Sequence, residues 1–178
     1  MQMSHEGISS TPNSSSKFID IDGEKIHYIE MGQGRPILFL HGVPTSSYIW
    51  RNVMPHVASL GRCIAPDLMG FGRSAKPNIE YSITDHISYI EKFIQQLGLQ
   101  DLVLVMHGWG SIIGFHYAMR HENNCAGLAF YEAFLHPINT SDVSLPHQET
   151  MASAREMSDT SSLEENALMF IDAVIPQY

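Results

Sequence analysis

The stretch with the densest chemical content runs Val103-Leu104-Val105-Met106-His107-Gly108-Trp109-Gly110-Ser111. An apolar run passes directly into a helical pattern through small residues. This is the sequence form of a nucleophile elbow, a sharp strand-to-helix turn that lifts one side chain to the top of a sheet. The apex residue takes a strained backbone conformation, and small neighbours are needed where strand and helix approach each other. Gly110 meets the second need. The apex falls on Gly108, which has no side chain to lift, so covalent nucleophilic chemistry has no attacking atom there.

The neighbouring candidates are weaker. Ser111 lies past the apex at the start of the helix, where its hydroxyl is expected to cap backbone N–H groups rather than attack a substrate. His107, just before the apex, is expected to point away from the apex residue and to hold a structural hydrogen bond. Trp109 sits beside the apex, which favours a role at the site over plain core packing. Glu132 closes the apolar run Ala126 to Tyr131, at a strand end where ligands and loops gather in open α/β sheets. The ten histidines show no paired spacing with cysteine or glutamate, and His41, His107 and His136 are accounted for by loop positions, so no metal site is expected. Gly70-Phe71-Gly72 lacks the third glycine or following lysine of a phosphate-binding loop.

These residues need a scaffold, and the hydrophobic pattern supplies one. Lys17 to Asp22 and Glu24 to Met31 read as a β-hairpin turning at Asp22-Gly23. Pro36-Ile37-Leu38-Phe39-Leu40 is continuously apolar, as a strand buried on both faces should be. A Gly-Pro loop, His41 to Pro44, then leads through Thr45-Ser46-Ser47 into a helix predicted to reach about Leu60. Cys63 to Pro66 is a short strand. From Thr84 to Leu97 the residues Ile87, Ile90, Phe93, Ile94 and Leu97 recur at helical spacing, and Gly98 stops the helix. Strand Leu102 to Met106, helix Ile112 to His121 and strand Ala126 to Tyr131 follow. Strands alternating with helices imply an α/β sheet, mainly parallel after its opening hairpin. Residues 1–16 read as a disordered Ser-rich leader, 17–137 as the α/β core, and 138–178 as a helical excursion with helices at His147 to Met157 and Ser161 to Val174.

Composition narrows the function classes. The chain has 178 residues, 44% of them hydrophobic and 16% charged, which suits a single globular domain with a real core. A formal net charge of −9 argues against nucleic-acid and anionic-membrane partners, since both need a basic face. No apolar run is long enough to span a bilayer, and Met1 to Ser16 lacks the pattern of a secretory signal. Cys63 and Cys125 do not make a disulfide framework and are expected to be buried free thiols, consistent with a reducing, cytoplasmic setting.

Four motifs, in order and spacing, carry a resemblance. They are His41-Gly42-Val43-Pro44-Thr45-Ser46-Ser47-Tyr48-Ile49-Trp50-Arg51-Asn52, Cys63 through Ser74, His107-Gly108-Trp109-Gly110-Ser111, and Phe130-Tyr131-Glu132-Ala133. Together they resemble the haloalkane dehalogenases, within the subfamily whose catalytic acid follows the sixth strand; Renilla-type luciferases share most of them. The resemblance covers Lys17 to Pro137 and, more loosely, the rest of the chain.

It implies the α/β-hydrolase fold, here the N-terminal part of the sheet plus the beginning of a helical cap, with the C-terminal strands missing. It further implies hydrolysis of a carbon–halogen bond through an alkyl-enzyme ester, with no cofactor and a small apolar haloalkane-like ligand. The family's nucleophilic aspartate corresponds to Gly108. Trp109 matches the tryptophan whose indole N–H holds the departing halide, and its backbone N–H pairs with that of Val43 as an oxyanion hole. The subfamily's halide-binding asparagine corresponds to Val43, whose side chain donates no hydrogen bond. Glu132 matches the acid that orients the catalytic histidine, and that histidine is expected beyond the end of this chain.

With only the acid retained, the chain is expected to be inactive and Glu132 to have nothing to orient. A non-catalytic α/β-hydrolase-fold protein binding an apolar small molecule is the alternative, since Gly108 and Val43 both leave an apolar pocket. A luciferase-like relative is a further one. The strand around Leu128 is expected to form an open edge, making the chain prone to aggregation. Oligomeric state is not legible in the sequence.

Overall fold

The computed structural model describes residues 15–133. The expected leader up to Ser14 and the cap helices at His147 to Met157 and Ser161 to Val174 lie outside these residues. A six-stranded sheet organises the rest: β1 (Ser15–Ile21), β2 (Glu24–Met31), β3 (Pro36–Leu40), β4 (Arg62–Pro66), β5 (Leu102–His107) and β6 (Cys125–Tyr131). Their order across the sheet is β1-β2-β4-β3-β5-β6. The hairpin β1–β2 joins β4 antiparallel, and β4, β3, β5 and β6 run parallel. At the hairpin turn, Asp22 and Gly23 both take positive φ, 55° and 88°, which matches the right-handed twist of the flanking strands.

The unbroken apolar run of β3 is explained by burial on both faces. Leu38 and Leu40 enter one core with Ile64, Leu104 and Met106, closed by Ile90, Phe93 and Ile94 of α2 (Ile83–Gln96) and by Ile113 and Tyr117 of α3 (Trp109–Arg120). Ile37 and Phe39 enter the other with Cys63 and Ala65, closed by Trp50 and Met54. The period-2 alternation of β3 therefore feeds two layers of packing from five residues. The hidden face of α2 comprises His86, Ile90, Phe93 and Ile94, at the spacing of one helical stripe. Ser82 and Asp85 form a reciprocal capping box at its start, and Gly98 follows its end at φ +61°.

The structure departs from the sequence expectations in four places. The first strand starts at Ser15, where the Ser15 hydroxyl donates to the Glu30 carbonyl. The single helix expected from Thr45 to Leu60 is instead a 3₁₀ segment, Ser47–Asn52, followed by the four-residue α1, Met54–Val57. Pro55 lacks the N–H that would continue one hydrogen-bond ladder through both, and it is tolerated only in the first turn of the second. Helix α3 begins at Trp109, three residues earlier than its apolar spacing suggested, because it starts directly from the elbow. Cys63 is a buried free thiol whose pKa burial raises to about 11, whereas Cys125 is also free but only partly buried. Cys125 opens β6, one of the two edge strands among the described residues, so its side chain is covered less completely.

Candidate functional site

Gly108 stands between β5 and α3 with φ 54° and ψ −124°, a conformation L residues rarely adopt. The loop after β3 lies directly against it: a Cβ built on Gly108 would come 3.3 Å from the Cα of Gly42, and one built on Gly42 would come 3.2 Å from the Cα of Gly108. Val43, the next residue, is thereby held beside the turn, and the Val43–Pro44 peptide is cis. Thr45 braces this loop, its amide and hydroxyl both donating to the Gly42 carbonyl at 3.0 and 2.6 Å. Gly110 lets α3 settle on the end of β3, since a Cβ there would lie 2.3 Å from the Leu40 carbonyl oxygen. The sequence-level reason for its smallness is thus met by a specific backbone contact.

Two histidines explain how the loops stay in place. His41 is fully buried; its Nδ1 donates to the Gly42 carbonyl at 2.9 Å and its Nε2 accepts from the Leu68 amide at 2.9 Å. Both nitrogens are used in the neutral form, and burial pulls the pKa down to about 4. His86, on α2, is also fully buried, with neither ring nitrogen hydrogen-bonded. Its ring meets the Trp109 indole edge-on at 6.0 Å and lies 5.9 Å from Phe71. Burial lowers its pKa.

The loop between β4 and α2 is organised by Asp67, which is 2% exposed. Its carboxylate accepts from His27 Nδ1 at 2.7 Å, the Ser47 amide at 2.7 Å and the Arg73 amide at 2.8 Å. Burial alone would raise its pKa, but these donors outweigh burial and hold it near 2. Gly72 is required by this carboxylate: a Cβ there would sit 2.2 Å from Asp67 Oδ2. Gly70 likewise faces the Tyr81 ring, 2.5 Å from a hypothetical Cβ. Close approach to protein atoms therefore accounts for the Gly70-Phe71-Gly72 spacing.

The Ser111 hydroxyl donates to the Gly108 carbonyl at 2.6 Å, alongside the Ser111 amide at 2.9 Å. One sequence expectation about side chains is corrected: Glu132 is not without a histidine. Its carboxylate lies 2.8 Å from His107 Nε2, and the His107 ring stacks on Tyr131 at 4.5 Å. Parallel pairing of β5 and β6 places His107 opposite Tyr131, one residue from Glu132, which makes the contact possible. Glu132 has φ 48° and a side chain 76% exposed.

Sequence reasoning missed Asp67, His27 and His86 as organisers of this region. Asp67 and His27 are 40 positions apart and meet only through the antiparallel pairing of β2 with β4. The one available signal was polar residues inside otherwise apolar stretches.

Residues 35–155 match the model of the alpha/beta hydrolase fold family. The chain belongs to the α/β-hydrolase fold family. Within it, the sequence resembles haloalkane dehalogenases. It is 42% identical over 168 residues to the haloalkane dehalogenase of Mesorhizobium japonicum, covering 89% of this chain and 52% of that protein. It is 40% identical over 177 residues to one from Sphingobium indicum, covering 95% of this chain and 58% of the relative. The crystal structure of haloalkane dehalogenase DbeA from Bradyrhizobium elkani superposes with a TM-score of 0.78 at 41% identity, over 80% of this chain and 50% of that one. The chain spans about half the length of the curated relatives it matches. Among the described residues of this hydrolase-fold chain, no helix is long and apolar enough to cross a membrane.

Proposed function

We propose that residues 1–178 are the N-terminal part of a haloalkane-dehalogenase-type scaffold that does not turn over haloalkanes by the family's covalent route. The observation that carries this reading is the elbow at Gly108. It keeps the positive φ of an apex between a buried strand and a helix, yet presents no nucleophile. Val43 removes a second polar group from the same place, because its side chain cannot hold a halide. Trp109 keeps an indole N–H beside the apex, and Glu132 keeps a carboxylate at the end of β6. A small apolar haloalkane-like molecule is the ligand this remnant suits, with no cofactor and no nucleic acid. The elbow's two apolar replacements also suit a binding protein of the same fold that holds such a ligand without cleaving it.

Halide release separates these readings. The G108D/V43N double variant, carried in a chain completed by the second half of a haloalkane dehalogenase, is expected to release halide from a haloalkane. The same chain with Gly108 and Val43 is expected to release none. If the restored chain folds and stays silent while the unaltered one binds haloalkane, the binding reading replaces the hydrolytic lineage.

A further inference from the structure

A constellation of nucleophile, base and acid joins the β1–β2 hairpin to the loop after β4, its Ser16 on β1, four strands from β5 in the sheet order. Asp67 Oδ2 is 2.7 Å from His27 Nδ1, and His27 Nε2 is 2.9 Å from the Ser16 hydroxyl. The Arg73 guanidinium donates to the same hydroxyl oxygen at 2.8 Å. Because Asp67 only accepts, the neutral His27 ring carries its proton on Nδ1 and offers Nε2 as acceptor. Because Arg73 only donates, the Ser16 oxygen sends its own proton toward Nε2. Each bond in the chain therefore has one consistent direction, the direction of a serine–histidine–acid relay.

The burial pattern has the same sense. His27 and Asp67 are 3% and 2% exposed, so acid and base are held rigidly away from water, while Ser16 is exposed. The backbone adds to that rigidity, since the His27 amide donates to the Ser74 hydroxyl at 3.0 Å and that hydroxyl donates to the Asp67 carbonyl at 2.7 Å. Phe18, two residues along β1 and so on the same face as Ser16, pairs across the hairpin with His27. Its ring is 49% exposed, lies 5.1 Å from the His27 ring and carries the Arg73 guanidinium 5.4 Å from its centroid. An exposed aromatic beside an exposed hydroxyl offers a platform for an aryl group.

We propose that Ser16, His27 and Asp67 form a nucleophilic site for activated aryl esters, independent of the Gly108 elbow. Ser16 Oγ bonds to the acyl carbon while its proton passes to His27 Nε2, and the Arg73 guanidinium, hydrogen-bonded to Oγ, offsets the negative charge on that oxygen as its proton leaves. The bond between the acyl carbon and the aryloxy oxygen breaks, and that leaving oxygen takes the proton from Nε2. Water, losing a proton to Nε2, then releases the acid and restores Ser16. The net change is ester plus water to acid plus phenol, with no oxidant or reductant.

The intact 178-residue chain, incubated with a biotinylated fluorophosphonate and separately with 4-nitrophenyl acetate, tests this directly. The expected result is phosphonylation mapped by mass spectrometry to Ser16, with label and nitrophenolate release both lost in S16A. Labelling in H27Q is expected to slow by about 100-fold, the contribution of a positioned base. Nitrophenolate release no faster than in S16A, or label absent from Ser16, overturns the proposal. Should H27Q fail to fold, S16A still decides, because it trims an exposed hydroxyl and its fold is checked by circular dichroism.

Discussion

The His41 imidazole accepts a 2.9 Å hydrogen bond from the Leu68 amide, tying the loop after β3 to the loop after β4 at the top of the sheet. The bond exists only while Nε2 is unprotonated. His41 is held near pKa 4 by burial, below the ordinary 6.5, so the unfolded chain takes up this proton first as pH falls. Stability is therefore expected to decline by about 3 kcal/mol between pH 6.5 and pH 4 on this group alone. Asp67 acts in a lower window. Its folded pKa near 2 lies below the ordinary 3.8, so its stabilisation is complete above pH 4 and is lost as pH falls toward 2. Urea midpoints measured from pH 7.5 to pH 2 check both. A midpoint unchanged between pH 7 and pH 4.5 would rule out the His41 assignment.

Glycines of this chain are expected to respond to alanine in two classes. At Gly98 a Cβ meets nothing within 4 Å, so G98A carries only the cost of a left-handed conformation, roughly 1 kcal/mol. At Gly110 the Cβ would lie 2.3 Å from a carbonyl oxygen of β3, and backbone cannot rotate aside as a side chain can. G110A is expected to cost about 3 kcal/mol or more, by displacing α3 from the sheet. Thermal denaturation of the two variants gives the comparison. Equal losses would mean that α3 is not seated on β3 as described.

The β6 edge of the sheet is expected to govern the solution behaviour of the chain. Leu128, Phe130 and Tyr131 are 44%, 47% and 49% exposed, and among the described residues β6 pairs only with β5. An apolar groove beside it is lined by Ile112, Phe115, Met119 and Leu128. An unpaired edge flanked by apolar side chains templates association. The 178-residue chain is expected to self-associate at micromolar concentration, and L128K/F130K to shift it toward monomer in sedimentation velocity. A monomeric wild-type chain with a sharp cooperative melt would contradict this.

Much of the scaffold was legible because its signals are local. An apolar run of five residues names a doubly buried strand, apolar residues at helical spacing followed by Gly98 mark α2, and Asp22-Gly23 turns the hairpin. Pro55 was visible too, yet its power to split one helix into two short segments was underweighted against the pattern of apolar residues around it. That the Ser111 hydroxyl donates to the Gly108 carbonyl follows from the geometry of the turn, which residue type does not encode.

By itself the sequence determined that residue 108 brings no side chain to the strand-to-helix turn and that Val43 brings no donor, since both are statements of chemical identity. Only the tertiary structure decided which groups stand in partnership. Glu132 meets His107 because β5 and β6 pair in parallel register, Asp67 meets His27 because β2 lies antiparallel to β4, and Ser16 reaches His27 because β1 pairs with β2. Residue type limits what a side chain can do within its own turn or strand. Partnerships across 25, 40 or 57 positions depend on strand order and register, which no local spacing encodes.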